Sequence, residues 1–250
     1  MNDFNINIDL NAIIFAGDSA GANAASILST KFIKQGKYKP KLQALVYPPT
    51  QYFNFLTPSS IQYSNLEITS RAKLALIHMG LKRVNKYQED FLIKNFHTLI
   101  LNDEDLKSRY EQYLNTDLIP EEYKKNRLYY NNYADLNELV YPHQKSNEIS
   151  IEKMDPKFIE MVKNLFKRNI SPGLSPDEDF INQPTSLVMV CEHDTRKDEA
   201  LIYAERLRLA GNDVHVQFYE NGFHGVFMYE NSAVSRRMRT DFIQFIRENL

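Results

Sequence analysis

The 250-residue chain has a single cysteine, Cys191, and no tryptophan. One cysteine cannot form a disulfide within the chain, which excludes a small scaffold held together by disulfides. No apolar run approaches the roughly 18 residues that span a bilayer, so the sequence predicts no membrane helix. The first residues, MNDFNINIDLNAIIF, contain no basic segment and no cleavage-like site, and we therefore expect no signal peptide.

Neither sign of charge dominates the chain. Its 30 Lys and Arg residues nearly balance 32 Asp and Glu residues, which gives a formal net charge of -2. Proteins that bind nucleic acid through phosphate contacts are usually basic, so we expect no nucleic-acid partner. Hydrophobic residues make up 43% of the chain, which excludes a disordered protein and is enough for a packed core.

The first fifty residues have the pattern of a strand, a turn, a helix and a second strand. Residues 12–16 read AIIFA, a short apolar run that predicts a buried strand ending at Gly17. Apolar residues then recur at helical spacing up to Gly36, a typical helix stop, and KLQALVY at 41–47 predicts another strand. This order indicates a parallel sheet.

The middle of the chain differs in pattern from its two ends. Residues 50–182 have mostly helical spacing and are interpreted as an insertion, a natural place for a cap over a pocket. The strand and helix pattern returns with SLVMVC from residue 186, then a helix, the strand DVHVQFYE and a final amphipathic helix. We therefore predict one α/β domain in which residues 1–49 and 183–250 form the core and residues 50–182 form the cap.

The segment GDSAG matches the pattern G-x-S-x-G and lies between the first predicted strand and helix, as a nucleophile elbow requires. The predicted elbow consists of Gly17, Asp18 and Gly21 around Ser19. We expect both glycines to let the strand and the helix approach closely. Ser19 Oγ would then project above the sheet at a helix N-terminus, where developing negative charge is stabilised. An ordinary glycine turn before a helix is the alternative interpretation.

A serine nucleophile needs a general base and a carboxylate that orients the base. Asp194 follows the strand that begins SLVMVC, and His224 lies in GFHG after the next strand. The order serine, aspartate, histidine is the order expected after a nucleophile elbow, and parallel strands bring their carboxyl ends to one edge of the sheet. Asp194 could instead cap the helix that follows it, and His224 could be an ordinary loop residue.

These segments resemble a known family. GDSAG, the YPP after the second strand, CEHDTRKDEALIYAERLRLAG and NGFHGVF are similar to the arylacetamide deacetylase and hormone-sensitive-lipase-like esterases of the α/β-hydrolase fold. The resemblance implies a mostly parallel, three-layer core with a helical cap. It also implies a serine esterase without a cofactor, acting on a small-molecule ester or amide, with Ser19 as nucleophile, Asp194 as orienting residue and His224 as general base. Asp198 matches the family's second aspartate, although a first-turn helix acid is an equally good interpretation.

The chain departs from this family in one respect. The family's HGGG-type loop, whose backbone N–H groups supply most of the oxyanion hole, does not occur in the 250 residues. The N–H of Ala20 is then the expected donor, and loss of one donor typically lowers the rate by about 10²–10³. We therefore expect this chain to be the C-terminal part of a longer hydrolase. A catalytically impaired or ligand-binding protein of the same fold is the main alternative.

Other expectations concern metals, membranes and localisation. Cys191, Glu192, His193 and Asp194 are adjacent on a predicted strand, where neighbouring side chains point to opposite faces, so we expect no metal site. Membrane association is expected only through an N-terminal anchor that this chain lacks. That anchor would place a deacetylase-like protein at the endoplasmic reticulum membrane, whereas a chain complete as written would be cytoplasmic. A helical interaction module formed by residues 50–182 alone is a third alternative.

Overall fold

A computed structural model describes residues 9–66, 71–131, 135–136 and 151–250. In this part of the chain, one four-stranded parallel sheet has the strand order β1-β2-β3-β4, formed by β1 (Ile14–Asp18), β2 (Leu42–Val46), β3 (Thr185–His193) and β4 (Val214–Phe223). The α-helices that lie wholly within the described ranges are α1 (Ala20–Lys34), α2 (Pro58–Gln62), α3 (Arg71–His78), α4 (Lys86–Ile93), α5 (Glu104–Tyr113), α6 (Pro156–Leu165), α7 (Lys197–Leu209) and α8 (Ala233–Asn249).

Helices pack on both faces of the sheet, because successive side chains of a strand point to opposite faces. One face packs with α1 and α7, in a cluster that includes Ala22, Ala25, Leu45, Val188, Val190, Leu201, Ala204 and Leu207. The other face packs with α8, in a cluster that includes Leu42, Ala44, Val46, Leu187, Met189, Met238 and Phe245. A parallel sheet between two layers of helices confirms the predicted three-layer α/β fold.

The segment between β2 and β3 has a hydrophobic cluster of its own. It draws on α3 to α6 and on the chain just after β2, and its most buried members include Phe53, Ala72, Leu76, Phe91, Leu92, Val162 and Leu165. Most of the aromatic residues described in this segment pack in a core, although Tyr87 and Tyr130 are exposed. The division into a core of residues 1–49 and 183–250 and a cap of residues 50–182 stays a prediction.

One helix of this segment is shorter than the sequence predicts. A single helix is expected from the helical spacing of six apolar residues: Ala72, Leu74, Leu76, Ile77, Leu81 and Val84. α3 ends at His78, and Gly80 takes a left-handed φ of 95°. The N–H of Leu81 bonds to the carbonyl of Leu76, and that of Gly80 bonds to the carbonyl of Ile77, which is the pattern of a Schellman termination. The apolar spacing continues beyond the helix because Leu81 still packs against the same cluster.

The strand β4 is longer than the pattern DVHVQFYE predicts. It runs to Phe223, so the prediction that GFHG lies wholly after the strand, as a loop, is wrong for its first two residues. Its pairing with β3 changes register between Cys191 and His193, which lets the ladder continue beyond Glu220. The strand therefore delivers His224 directly at the edge of the sheet where β3 also ends.

No helix in the described ranges combines the length and the apolar character that crossing a bilayer demands.

Candidate active site

Ser19 lies in the turn between β1 and α1 with φ 50° and ψ -120°, a backbone conformation that is unfavourable for a residue with a side chain. Two hydrogen bonds hold this turn. The N–H of Ser19 donates to the carbonyl of Val46 in β2 over 2.9 Å, and the N–H of Asn23 donates to the carbonyl of Ser19 over 3.1 Å. The strained serine is therefore anchored to both the sheet and the helix, as a nucleophile elbow requires.

The two elbow glycines are not equivalent. A Cβ atom on Gly17 would lie 2.3 Å from the carbonyl carbon of Gly21 and 2.6 Å from its oxygen, whereas a Cβ atom on Gly21 would meet nothing within 4 Å. The close approach is made by the Gly21 carbonyl group, which every residue type has. The steric requirement expected of both glycines therefore holds for Gly17 and is wrong for Gly21.

The structure brings Ser19, His224 and Asp194 into one hydrogen-bonded series. Ser19 Oγ is 2.8 Å from His224 Nε2, and His224 Nδ1 is 2.8 Å from Asp194 Oδ2. A carboxylate oxygen only accepts, so Nδ1 carries a proton and donates it. In neutral imidazole, Nε2 is then the acceptor for the Ser19 hydroxyl, which is the arrangement that lets histidine act as a base.

Asp194 directly follows β3 and is buried. Burial by itself would raise the pKa of this carboxyl, but the neighbouring His224, through charge and hydrogen bond, and Arg196 hold that pKa below its ordinary value. The Arg196 backbone N–H donates to Asp194 Oδ1 over 2.9 Å, and its guanidinium Nη1 lies 3.8 Å from the same oxygen. The aspartate thus both orders the turn before α7 and presents its second oxygen to His224.

Tyr47 is a site residue that the sequence prediction missed. It follows β2 with φ 37° and is almost fully buried, and its ring centroid lies 4.7 Å from that of His224. Its hydroxyl donates to Asp18 Oδ2 in the elbow over 3.2 Å. Burial, with Asp18 nearby, raises the pKa of Tyr47, so the hydroxyl stays a donor. The sequence signal that could have indicated Tyr47 is the YPP segment. It ends the strand that lies, in chain order, between the elbow and the two other site residues.

Ala20 is the first residue of α1. Its N–H therefore has no acceptor inside the helix, and the N–H groups of a first helical turn point toward the N-terminal end. The helix dipole adds partial positive charge at the same place. The residue directly after Ser19 thus carries a backbone donor without an intrahelical acceptor.

Asp198 lies in the first turn of α7, and its side chain is hydrogen-bonded to the segment between β2 and β3. It is fully buried, its Oδ2 accepts from the backbone N–H of Ser59 over 2.7 Å, and its Oδ1 accepts from the Tyr129 hydroxyl over 2.7 Å. Burial raises the pKa of this carboxyl. Asp198 therefore ties the segment between β2 and β3 to the helix that follows Asp194.

Glu199 makes a second buried link of the same kind. Its Oε1 accepts from the backbone N–H of Thr50 over 3.0 Å, its Oε2 accepts from the Gln51 amide over 2.9 Å, and it forms an ion pair with Arg71 of α3. Burial raises the pKa of Glu199, and Arg71 opposes that effect. The first turn of α7 is thus hydrogen-bonded at several points to the segment between β2 and β3.

A cavity of about 620 Å³ borders Asp194 and His224. Its volume lies within the range of small-molecule sites, which are mostly apolar with a few polar groups. The remaining lining is largely aromatic and aliphatic, with some polar side chains: Tyr63, Leu66, Leu74, His193, Thr195, Arg196, Phe223 and Tyr229. The arrangement supplies an apolar space directly beside the histidine.

Among the residues that the structure describes, no group of three or more His, Cys, Asp and Glu side chains is arranged to hold a metal ion. Cys191 is a free, buried thiol, and burial raises its pKa. Its side chain belongs to the cluster on the α8 face of the sheet, whereas Asp194 faces His224. The strand end from Cys191 to Asp194 therefore directs its side chains to separate environments.

A protein-family model described as alpha/beta hydrolase fold matches residues 2–115 and 129–228. Among curated proteins, neutral cholesterol ester hydrolase 1 of Mus musculus is 29% identical over 251 residues, and arylacetamide deacetylase of Mus musculus is 27% identical over 246 residues. Each match covers 97% of this chain and 56% of the relative. The chain thus spans little more than half the length of these relatives.

Solved esterase structures also match. One of two fungal esterases from Rhizomucor miehei has a TM-score of 0.56 at 20% identity, covering 98% of this chain and 52% of that one. Carboxyl esterase 2 from Tuber melanosporum has a TM-score of 0.57 at 16% identity, covering 97% and 56%. At this level of identity, the likeness shows a shared fold.

Proposed function

Because the chain belongs to the alpha/beta hydrolase fold family, we propose that it hydrolyses carboxylic esters through an acyl-enzyme formed on Ser19. The observation that carries this proposal is the pair of 2.8 Å hydrogen bonds that joins Asp194 to His224 and His224 to Ser19. A serine hydroxyl is a weak nucleophile by itself and becomes effective when a base takes its proton during attack. The series supplies that base and the carboxylate that orients it.

In the acylation step, Ser19 Oγ attacks the ester carbonyl carbon while its proton moves to His224 Nε2. The imidazolium that forms keeps its Nδ1–H bond to Asp194, whose lowered pKa keeps the carboxylate ionised at neutral pH. The Ala20 N–H and the N-terminal end of α1 stabilise the negative charge on the carbonyl oxygen. Collapse of this intermediate breaks the ester C–O bond, and Nε2 returns the proton to the leaving alcohol.

In the deacylation step, water takes the place of the alcohol. His224 Nε2 removes a proton from the water as its oxygen attacks the acyl carbon, and the same nitrogen then protonates Ser19 Oγ. The products are a carboxylic acid and a regenerated serine. Every proton in the cycle moves through His224, so neither a metal nor a cofactor is needed for the proposed reaction.

We infer that the substrate is a neutral ester with an apolar acyl or aryl group. The cavity beside His224 is lined largely by apolar and aromatic side chains, including Phe223 and Tyr229. The relatives include proteins named for hydrolysis of neutral cholesterol esters and for deacetylation of arylacetamides. An aryl acetamide is therefore the second substrate class to test.

A non-catalytic ligand-binding protein of the same fold is the alternative. One specific observation favours it: no HGGG sequence occurs in the 250 residues, while the hydrolase oxyanion hole ordinarily combines the N–H after the nucleophile with N–H groups of such a loop. A protein of this kind would bind an apolar ligand in the cavity beside His224 without turning it over.

Hydrolysis of a series of p-nitrophenyl esters, with phenacetin as an aryl acetamide, tests the proposal. We expect saturable hydrolysis by the wild type and a loss of at least about 10³–10⁴ in kcat for Ser19→Ala. Ser108→Ala, at an exposed position of α5, is the matched control and should retain full activity. Turnover that survives Ser19→Ala would overturn the proposal, and saturable ester binding by a folded wild type without turnover would support the alternative.

A further inference from the structure

A second groove, of about 700 Å³, lies on the segment between β2 and β3. It runs between α5 and the C-terminal end of α6, and it shares no lining residue with the cavity beside His224. Its floor is mostly apolar and aromatic, formed by Leu101, Leu106, Tyr110, Tyr113, Phe166, Leu174 and Pro176. Phe166 and Leu174 are buried in the hydrophobic cluster of this segment, so the floor rests on a packed core.

The charged residues that line this groove are all cations: Arg109, Lys163, Lys167 and Arg168. Arg168 is paired with the buried Asp179, with Nη1 3.0 Å from Oδ2. The other three are exposed, and none forms an ion pair with another described residue. The positive and negative charges of the whole chain nearly cancel, with a net charge of -2. Three cations without an ion-pair partner around one apolar groove therefore differ from the chain as a whole.

We propose that this groove binds a long-chain carboxylate, with the hydrocarbon chain on the apolar floor and the carboxylate between Arg109, Lys163 and Lys167. Burial of the chain removes apolar surface from water on both sides. A carboxylate forms charge-assisted hydrogen bonds with ammonium and guanidinium groups, and these are stronger than bonds between neutral groups. The volume and the mainly apolar lining with a few polar groups are typical of a small-molecule site.

The concave shape favours a single amphiphile over a membrane surface. A flat lipid surface would meet the exposed cations but would leave the half-buried floor residues Leu106, Tyr110 and Tyr113 uncovered. The inference goes beyond the proposed hydrolysis, because no residue of the groove belongs to the series Ser19, His224 and Asp194. Binding is therefore expected to persist in Ser19→Ala.

Calorimetric titration of the full chain with dodecanoate, kept below its micellar concentration, tests the inference. We expect saturable binding of one dodecanoate per chain, unchanged in Ser19→Ala, and at least about ten-fold weaker binding of the uncharged dodecanol. The double variant Lys163→Glu/Lys167→Glu should weaken dodecanoate binding by at least about ten-fold, because two attractive charges become repulsive.

The control is Lys31→Glu/Lys37→Glu. Lys31 lies in the last turn of α1 and Lys37 just beyond it, as Lys163 and Lys167 lie relative to α6, and both control lysines are exposed. Dodecanoate binding should be unchanged in this control. Equal affinity of wild type and the Lys163/Lys167 variant, or equal weakening by both double variants, would overturn the inference.

Two further outcomes would also overturn it, because each identifies a different occupant. One is binding to vesicles of phosphatidylcholine and phosphatidylglycerol without any binding of monomeric dodecanoate. The other is a dimer, detected by sedimentation, that the Lys163→Glu/Lys167→Glu variant converts to monomers. In the second case the groove would be covered by another copy of the chain.

Discussion

Ser19 Oγ and His224 Nε2 lie 2.8 Å apart, although the two residues are 205 positions apart in the sequence. Ser19 follows β1 and His224 follows β4, which are the two outer strands of the described sheet. Tyr47, after the intervening β2, packs its ring against the histidine. The contact therefore depends on the alignment of the strand ends.

Asp194→Asn should lower kcat for a p-nitrophenyl ester by about 10⁴ and change KM little. The amide can donate to His224 Nδ1, which favours the tautomer whose proton is on Nε2 and removes the acceptor for Ser19. Steady-state kinetics measures the effect, with Asp117→Asn at an exposed position as the control. An unchanged kcat in Asp194→Asn would show that this carboxylate does not orient the histidine.

Gly17→Ala should destabilise the fold by about 1–3 kcal/mol and remove most of the esterase activity, because its new Cβ would collide with the backbone of Gly21. Gly21→Ala is the matched control, since its Cβ would lie in open space, and it should leave the free energy of unfolding nearly unchanged. Urea unfolding of both variants gives the comparison. Equal destabilisation by the two substitutions would contradict the steric account of the elbow.

His97 should make the fold less stable as the pH falls. It is fully buried and its Nε2 donates to the carbonyl of Tyr52, while Nδ1 has no partner among the described residues. Burial lowers the pKa of His97 from 6.5 to about 4. Between these two pKa values the unfolded chain binds more protons than the folded one, so the free energy of unfolding decreases as pH falls through this window.

The loss should be on the order of 2–3 kcal/mol from pH 7 to pH 4, and His97→Phe should remove it. Urea unfolding at several pH values measures the slope of wild type and variant. His215→Phe is the control, because that side chain is 45% exposed and lies outside the buried cluster of His97. Identical slopes for wild type and His97→Phe would refute this explanation of acid sensitivity.

Tyr129→Phe should destabilise the fold by about 1–3 kcal/mol, because it removes the hydroxyl donor from the buried carboxylate of Asp198. The neighbouring Tyr130→Phe is a close control, since that side chain is 70% exposed, and it should change the free energy of unfolding by at most about 0.5 kcal/mol. Thermal or urea unfolding distinguishes them. Equal stabilities would mean that the Tyr129 bond to Asp198 contributes nothing to the fold.

Short-range signals were enough to predict the fold class. Apolar runs predicted β1 to β3, and helical spacing predicted α1, α7 and α8, so the parallel α/β core is confirmed. The three-layer arrangement that the family resemblance implied is confirmed as well. The family matches also confirm the resemblance inferred from GDSAG and NGFHGVF. Chain order and strand ends placed Ser19, Asp194 and His224 on one edge, and the structure brings them into hydrogen-bonding distance.

Features that depend on contacts between distant segments were beyond such signals. The Tyr47 packing against His224 and the burial of Asp198 under Ser59 and Tyr129 need a three-dimensional neighbour that no local pattern specifies. The end of α3 was missed for another reason: the apolar period continued through Leu81, which packs on the same cluster after the helix has ended. The helical spacing of apolar residues therefore continues for a tertiary reason, although the helix itself has ended.

Whether Ser19 is an activated nucleophile is tested directly by peptide mass spectrometry after treatment with a fluorophosphonate. We expect one phosphonate adduct per chain on the peptide that contains Ser19, and no adduct in His224→Ala, since that variant lacks the base. A folded wild-type chain that remains unmodified, or that is modified at another serine while Ser19 stays free, would contradict this prediction.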